Sequence, residues 1–296
     1  MDERAALALL ETELGPAGDD AAVVDGQVMT TDMLHETTDF PAGTTRYTAG
    51  WRSVGASLSD VAAMGAEATA AVAAYAAPTF DRAELEAFVR GASDVCEAVG
   101  AEYVGGDLDD HTEFTVATTA LGRTDAPVFR SGARPGDAVC VTGTLGRSAA
   151  ALELFERGDL ERANELFRFE PRVAAGRAIA AYATAMMDSS DGLARSLHQL
   201  SEASSRECEY ECGFAVESDP LPIDDSVREV TEDEAAALEL ATTFGEDFEL
   251  VFTVPEDAIA ELTEEVDVPV TVIGSVLESA EITLDGETLA DRGYTH

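Results

Sequence analysis

The sequence contains no lysine. All 18 basic residues among its 296 are arginine, against 59 acidic ones, for a formal net charge of −41. Without lysine there is no P-loop and no protein-kinase site, both of which place a lysine on the nucleotide phosphates. Any ATP chemistry must rest on metal ions, backbone amides and arginine. The net negative charge argues against nucleic acid and anionic membrane as general partners, because both are bound through clustered lysine and arginine.

Cysteine and histidine are also scarce. Cys96, Cys140, Cys208 and Cys212 are the four cysteines, and only the last two are close in sequence. With no second pair nearby, neither a zinc site nor a disulfide framework is indicated, and reduced thiols are expected. His35, His111, His198 and His296 share no spacing, and no Ser-His-Asp or zinc-protease pattern occurs, so hydrolase readings lose weight. No run reaches the roughly 20 apolar residues of a membrane span, the nearest being alanine-rich, around Ala70 to Ala77. The segment Met1-Asp2-Glu3-Arg4-Ala5 lacks the basic and apolar parts of a secretory signal, so a soluble, cytoplasmic protein is expected.

What is present is a globular pattern. Hydrophobic residues make up 46% of the chain and recur with regular periods, unlike low-hydrophobicity disordered segments. The length suits two packed domains. A surface this acidic repels itself in dilute buffer, whereas molar salt shortens the Debye length to about 3 Å. The composition therefore predicts a protein of a salt-in halophile.

Helices are predicted over Asp2 to Glu13, Thr44 to Met64, Asp81 to Val99, Leu145 to Arg157, Arg172 to Ala183 and Gly192 to Ala203, from helical spacing of apolar residues and from breaks at Gly and Pro. Asp81 and Glu84 fit an N-cap and its reciprocal capping position. Strands are predicted at Val28 to Met33, Phe114 to Leu121, Ala138 to Thr142, Phe248 to Val254 and Val270 to Val276. The turn Arg134-Pro135-Gly136-Asp137 marks a boundary between an N-terminal domain, residues 1–134, and a C-terminal domain, residues 135–296. Both halves mix helix and strand, giving an α/β or α+β class. The acidic stretch Glu217 to Glu234, with Pro220 and Pro222, reads as a solvated surface excursion.

Five aspartate segments sit at glycine breaks or strand ends: Asp19-Asp20, Thr30-Thr31-Asp32, Ser59-Asp60, Gly106-Asp107 and Asp188-Ser189-Ser190-Asp191-Gly192. Magnesium takes hard oxygen ligands, one or two of them carboxylates beside waters and phosphate oxygens, so folding that gathered these segments would make a metal site. Against this stands the ordinary role of Asp-Gly pairs in turns of an acidic surface. Asp188 to Gly192 follows apolar Ala185-Met186-Met187 and precedes a predicted helix. That is a strand entering a helix N-terminus, whose free N–H groups suit phosphate and equally suit Ser or Asp caps. Arg130 is the arginine nominated for a nucleotide phosphate, with Arg134 and Arg147 behind it.

Taken in order, Gly18 to Ala21, Thr31 to Leu34, Leu58 to Ala66 with its Ser59-Asp60-Val61-Ala62-Ala63-Met64-Gly65-Ala66 core, Gly105 to Asp107, Val141 to Gly146, Asp188 to Leu193 and Gly245 to Leu250 resemble the thiamine-monophosphate kinase family. The resemblance spans nearly the whole chain. It implies the two-domain fold shared with aminoimidazole ribonucleotide synthetase: a ferredoxin-like N-terminal half whose strands pair across a homodimer, an α/β C-terminal half, and an ATP cleft between them. It implies transfer of the ATP γ-phosphoryl group to thiamine monophosphate, aided by several Mg²⁺ ions. By position it implies Asp20, Thr30, Thr31, Asp32, Asp60, Asp107, Asp188 and Asp191 as metal ligands, with Asp32, Asp60 and Asp107 at the chemistry. Gly106, Asp107, Arg130 and Ser190 would meet the nucleotide, and Asp39, Glu246 and Asp291 the acceptor.

The chain departs from the family pattern at Asp39, at Phe244, at Phe248 and around Asp291-Arg292-Gly293-Tyr294. Two other readings stay in view. One is another ATP-using enzyme of the superfamily, expected to carry a reactive terminal cysteine, where this sequence ends Arg292-Gly293-Tyr294-Thr295-His296. The other is a noncatalytic acidic protein that binds cations.

Overall fold

A computed structural model describes residues 9–10, 14, 18–207 and 210–293. Most of the helix expected from Asp2 to Glu13 lies outside the described residues, as do Cys208, Tyr294 and His296. The first half carries strands β1 (Ala22–Val24), β2 (Gln27–His35), β3 (Glu67–Ala77), β4 (Glu102–Asp110) and β5 (Thr115–Arg123), in the sheet order β1-β2-β5-β3-β4. Helices α1 (Arg46–Ala63) and α2 (Arg82–Ala98) connect β2 to β3 and β3 to β4. β3 and β4 run parallel, as a helical crossover requires, while β5 is antiparallel to both β2 and β3.

Period-two alternation sets the two faces of this sheet. Val28 and Leu34 of β2 and Ala71, Ala73, Tyr75 and Ala77 of β3 are buried. Met29, Met33, Val72 and Leu121 point the other way and are exposed. The alanine-rich run, helix-prone by propensity, becomes strand β3 because its small side chains let α1 and α2 lie close over the sheet. The two helices themselves cross backbone to backbone: a Cβ on Gly91 would come within 2.0 Å of the Tyr47 carbonyl oxygen. Asp81 caps α2 as predicted, accepting from Ala83 N and Glu84 N. Glu84 does not complete the reciprocal cap and turns to Arg46 at 2.8 Å, the nearer strong charge.

The second half is a mixed sheet of β6 (Ala138–Thr142), β7 (Ala185–Asp188), β8 (Gly213–Val216), β9 (Leu250–Val254), β10 (Val270–Leu277), β11 (Ile282–Leu284) and β12 (Glu287–Thr288), ordered β12-β11-β8-β10-β6-β9-β7. Around it lie α3 (Arg147–Arg157), α4 (Leu160–Phe167), α5 (Val173–Ile179), α6 (Leu193–Glu207), α7 (Asp225–Val230), α8 (Glu234–Thr243) and α9 (Ile259–Glu265). β6, β7 and β9 are buried along their whole length, which is why they read as apolar runs broken only by Thr142, Asp188 and Thr253. The helix expected over Arg172 to Ala183 stops at Ile179.

The expected surface excursion from Glu217 to Glu234 contains α7, and Val227 is fully buried against Ala150 and Ala237. Its apolar residues, outnumbered by acids, still reach a core. The largest buried cluster runs through both halves, joining Val54, Leu58 and Phe88 to Cys140, Met186 and Phe252. Among the described residues no helix is long and apolar enough to cross a membrane. Cys96, Cys140 and Cys212 are buried; Cys96 and Cys140 are free, and burial pushes their thiols up to about 12.

Candidate metal and phosphoryl-transfer site

Three carboxylates from distant parts of the chain meet at the junction of the halves. Asp20 precedes β1, Asp60 lies in the last turn of α1 and Asp188 ends β7, and one oxygen of each lies within 4.8 Å of the others. Each is held. Arg130 donates through Nη2 and Nε to Asp20 at 3.0 and 3.2 Å, and its backbone N–H to Asp19 at 2.7 Å. Thr30 Oγ1 donates to Asp60 at 2.5 Å. Ser59 Oγ donates to Asp188 Oδ2 at 2.6 Å, while Ser190 donates through N and Oγ to Asp188 Oδ1.

The group carries more negative charge than Arg130 offsets. Burial pushes the Asp188 carboxyl up to about 7, and Asp20 adds to the rise. Burial also lifts Asp60 well above the usual carboxylate range, followed by repulsion from Asp32, Asp188 and Asp20. Asp19 is raised by burial as well. A buried cluster of this kind, made only of hard oxygen donors, fits a small divalent cation and stabilises little without one.

The remaining predicted ligands divide between the two faces of the first sheet. Directly paired residues point to the same side, so Thr30 and Asp32 face α1, where Ser57 donates its hydroxyl to Asp32. Thr31 points to the open side and donates to the Thr118 carbonyl at 2.7 Å. Asp107 shares that open side, paired across β3 with Ala74, and lies three strands from β2, roughly 14 Å at the usual strand spacing. Its Oδ1 accepts from Leu108 N. Within one chain Asp107 and Asp60 are therefore not brought together. Asp191 stands just before α6, with Gln199 donating to it at 3.4 Å.

Two cavities have predicted site residues in their walls. A groove of about 640 Å³ runs between α2 and edge strand β4, lined by Tyr75, Phe88, Tyr103, Gly106 and Asp107 among others. A Cβ at Gly106 would stand 1.7 Å from the Ala73 carbonyl oxygen, so only glycine lets β4 approach β3 there. A smaller cavity of about 200 Å³ lies between the halves, with Thr37, Asp39 and Phe40 on one wall and Leu152, Phe167, Phe244 and Glu246 on the other. Asp39 is buried and accepts from His35 N and Thr38 Oγ1, each at 2.7 Å. Asp291 lies elsewhere, ion-paired to Arg195 at 2.5 Å.

The segment from Glu246 to Glu249 is the scaffold of the smaller cavity. Glu246 and Phe248 adopt positive φ, 71° and 55°, unusual for residues with a Cβ. Asp247 accepts from Gly146 N and Ser148 N at 2.5 and 2.9 Å, tying the loop to the start of α3. Burial pushes the Asp247 carboxyl up to about 7 against the pull of those two N–H groups. Glu249 receives Arg172 through Nε and Nη2, and Thr142 Oγ1 at 2.6 Å. Arg52, Ser57, Asp247, Glu249 and Arg172 carry no nomination from the sequence. The available signals are a cation in the middle of α1 amid small residues and an acid on either side of Phe248.

Residues 18–124 match the family described as AIR synthase related protein, N-terminal domain, and residues 134–287 match the corresponding C-terminal domain. The chain is 63% identical to a thiamine-monophosphate kinase of Halobacterium salinarum over the whole of both chains. It is 42% identical to the thiamine-monophosphate kinase of Methanospirillum hungatei, covering 100% of this chain and 99% of that one. Its structure is similar to that of AaThiL complexed with AMPPCP and TMP, with a TM-score of 0.88 at 28% identity, over 100% of this chain and 97% of that one.

Proposed function

Because the chain belongs to the thiamine-monophosphate kinase family, within the AIR synthase related proteins, we propose that ATP and thiamine monophosphate meet at the junction of its halves, around Asp20, Asp60 and Asp188. Its activity is ATP-dependent phosphorylation of thiamine monophosphate to thiamine diphosphate. The observation that carries the siting is the convergence of three carboxylates within 4.8 Å, two from the first half of the chain and one from the second.

Asp20, Asp60 and Asp188 would hold Mg²⁺, with Thr30 and Asp32 beside them. When bound, the metal supplies the positive charge that a lysine-free site otherwise lacks and that two phosphate-bearing substrates require. Arg130 orients Asp20, Ser59 and Ser190 orient Asp188, and Ser57 orients Asp32. No general base is needed, since the acceptor phosphate, with a second pKa of about 6, is already ionised near neutral pH. The smaller cavity, with Asp39 and Glu246 in its walls, is assigned to the acceptor. The groove beside Gly106 and Asp107 offers apolar and aromatic walls to the nucleoside. Asp291, paired to Arg195 away from that cavity, orders the chain near α6.

The same reading places the domain boundary between residues 134 and 135 and a homodimer contact on the open sheet face of Met29, Met33, Val72 and Leu121, with the protein working in a salt-rich cytoplasm. The direct test incubates the protein with ATP, Mg²⁺ and thiamine monophosphate in molar KCl and follows thiamine diphosphate by mass spectrometry. Product in proportion to enzyme is expected. Folded protein that binds Mg²⁺ and forms none would instead be an acidic cation-binding protein.

A further inference from the structure

The smaller cavity has a cation behind its wall. Arg52 projects from the middle of α1, in the first half, and its side chain is 1% exposed. Its guanidinium donates through Nη2 to the Glu246 carboxylate and to the Glu246 carbonyl oxygen at 3.1 Å, and through Nη1 to the Phe167 carbonyl oxygen at 2.7 Å. It also lies 3.7 Å over the Phe167 ring. Glu246 and Phe167 both line the cavity.

The other hydrogen bonds and the ring stack that hold this loop come from the second half. Ser148 Oγ donates to the Glu246 carbonyl oxygen, Glu246 N donates to the Ser190 carbonyl oxygen, and Phe248 stacks on Phe169 at 4.1 Å. Those contacts hold the left-handed backbone. They do not reach the Glu246 carboxylate, which shares the cavity with a second acid, Asp39. Two carboxylates facing one small space repel, and an unrestrained glutamate would swing outward. Arg52 offsets that repulsion and fixes the rotamer, and its planar fork can do so while also bonding two backbone carbonyls.

We propose that Arg52 is a positioning residue for the acceptor, acting through Glu246 and Phe167 to set the wall against which thiamine monophosphate is oriented. The inference rests on the smaller cavity being the acceptor site. It adds that the contact is made across the two halves, so acceptor binding reads the state of their junction.

The test compares wild type, Arg52→Met, Arg52→Lys, Glu246→Gln and the Arg52→Met/Glu246→Gln double variant. KM for thiamine monophosphate, KM for ATP and kcat are measured in molar KCl on protein shown to be folded by thermal unfolding. Arg52→Met is expected to raise the acceptor KM by about tenfold and leave the ATP KM within about twofold, with Arg52→Lys intermediate. In the Glu246→Gln background, Arg52→Met should add less than about twofold, because residues acting through one contact are not additive. If Arg52→Met does not fold, Arg52→Lys decides alone: a raised acceptor KM with an unchanged ATP KM supports the role. Equal changes in both KM values, a loss of kcat alone, or full additivity in the double variant overturns it. A Glu246→Gln enzyme with an unchanged acceptor KM would instead remove the acceptor assignment itself.

Discussion

Ser59 Oγ, from α1 in the first half, donates a 2.6 Å hydrogen bond to Asp188 Oδ2, at the end of β7 in the second. The next residue along α1 is Asp60, so one helical turn carries both a proposed metal ligand and the clamp on another. Groups that orient ligands are commonly worth 10–100-fold in metal affinity, so Ser59→Ala is expected to raise the Mg²⁺ concentration for half-maximal rate by about tenfold. A Mg²⁺ titration of thiamine diphosphate formation reads this, and an unchanged midpoint would separate Ser59 from the site.

The aspartates should matter more to turnover than to folding. Asp32→Asn and Asp60→Asn are each expected to lower kcat by at least about 100-fold, as for residues holding charge-neutralising metal. Asp60→Asn should also raise the melting temperature of metal-free protein, since it removes a buried charge repelled by Asp32, Asp188 and Asp20. Calorimetry in EDTA beside steady-state rates checks both; a variant that is less stable and fully active contradicts the assignment.

Protons and metal should compete at Asp188. Its carboxyl is raised from 3.8 to about 7 by burial and by Asp20. A raised folded-state pKa stabilises the neutral form: that contribution is complete below the ordinary value and is lost as pH climbs through the raised one. Metal-free wild type should therefore lose stability relative to Asp188→Asn between about pH 4 and pH 7. Added Mg²⁺ should restore more at the alkaline end, with apparent affinity rising over the same interval because the ligand must be deprotonated. Melting curves against pH, with Mg²⁺ and with EDTA, carry the test, and a pH-independent Mg²⁺ effect would count against Asp188 as a ligand.

The open face of the first sheet gives a prediction about assembly. Met33→Asp places a carboxylate on the sheet face that Met29, Leu121 and Val72 share, without touching the buried side of β2. Wild type is expected to be a dimer in molar KCl by light scattering and Met33→Asp a monomer. A monomeric wild type rules out that interface.

Much of the architecture was legible because local pattern and tertiary placement agree. β6 was read residue for residue, and the Asp81 cap, the Arg134 to Asp137 turn and the strand-to-helix step at Asp188 all lie where turn chemistry put them. β3 gave no strand signal because alanine favours helix in isolation, and only the helices packed above it require small residues. The site was legible in its members and not in its geometry. Alternation along β2 implies that Thr30 and Thr31 face opposite ways, yet which face meets Asp60 depends on where α1 packs. Arg130, nominated by the sequence for a nucleotide phosphate, also holds Asp20, a pairing across 110 residues that no local pattern encodes.

Helix α1 carries Arg52 behind the wall of the proposed acceptor cavity and Ser59 and Asp60 at the carboxylate cluster. Ser59 lies seven positions after Arg52, which is two turns or about 10 Å along one face. The two ends of the proposed site are thus indexed by a single rigid ruler rather than by loops. One residue inserted between them would turn Arg52 about 100° away from the Ser59 face. Each end would keep its own side chains, and the register between them would be gone.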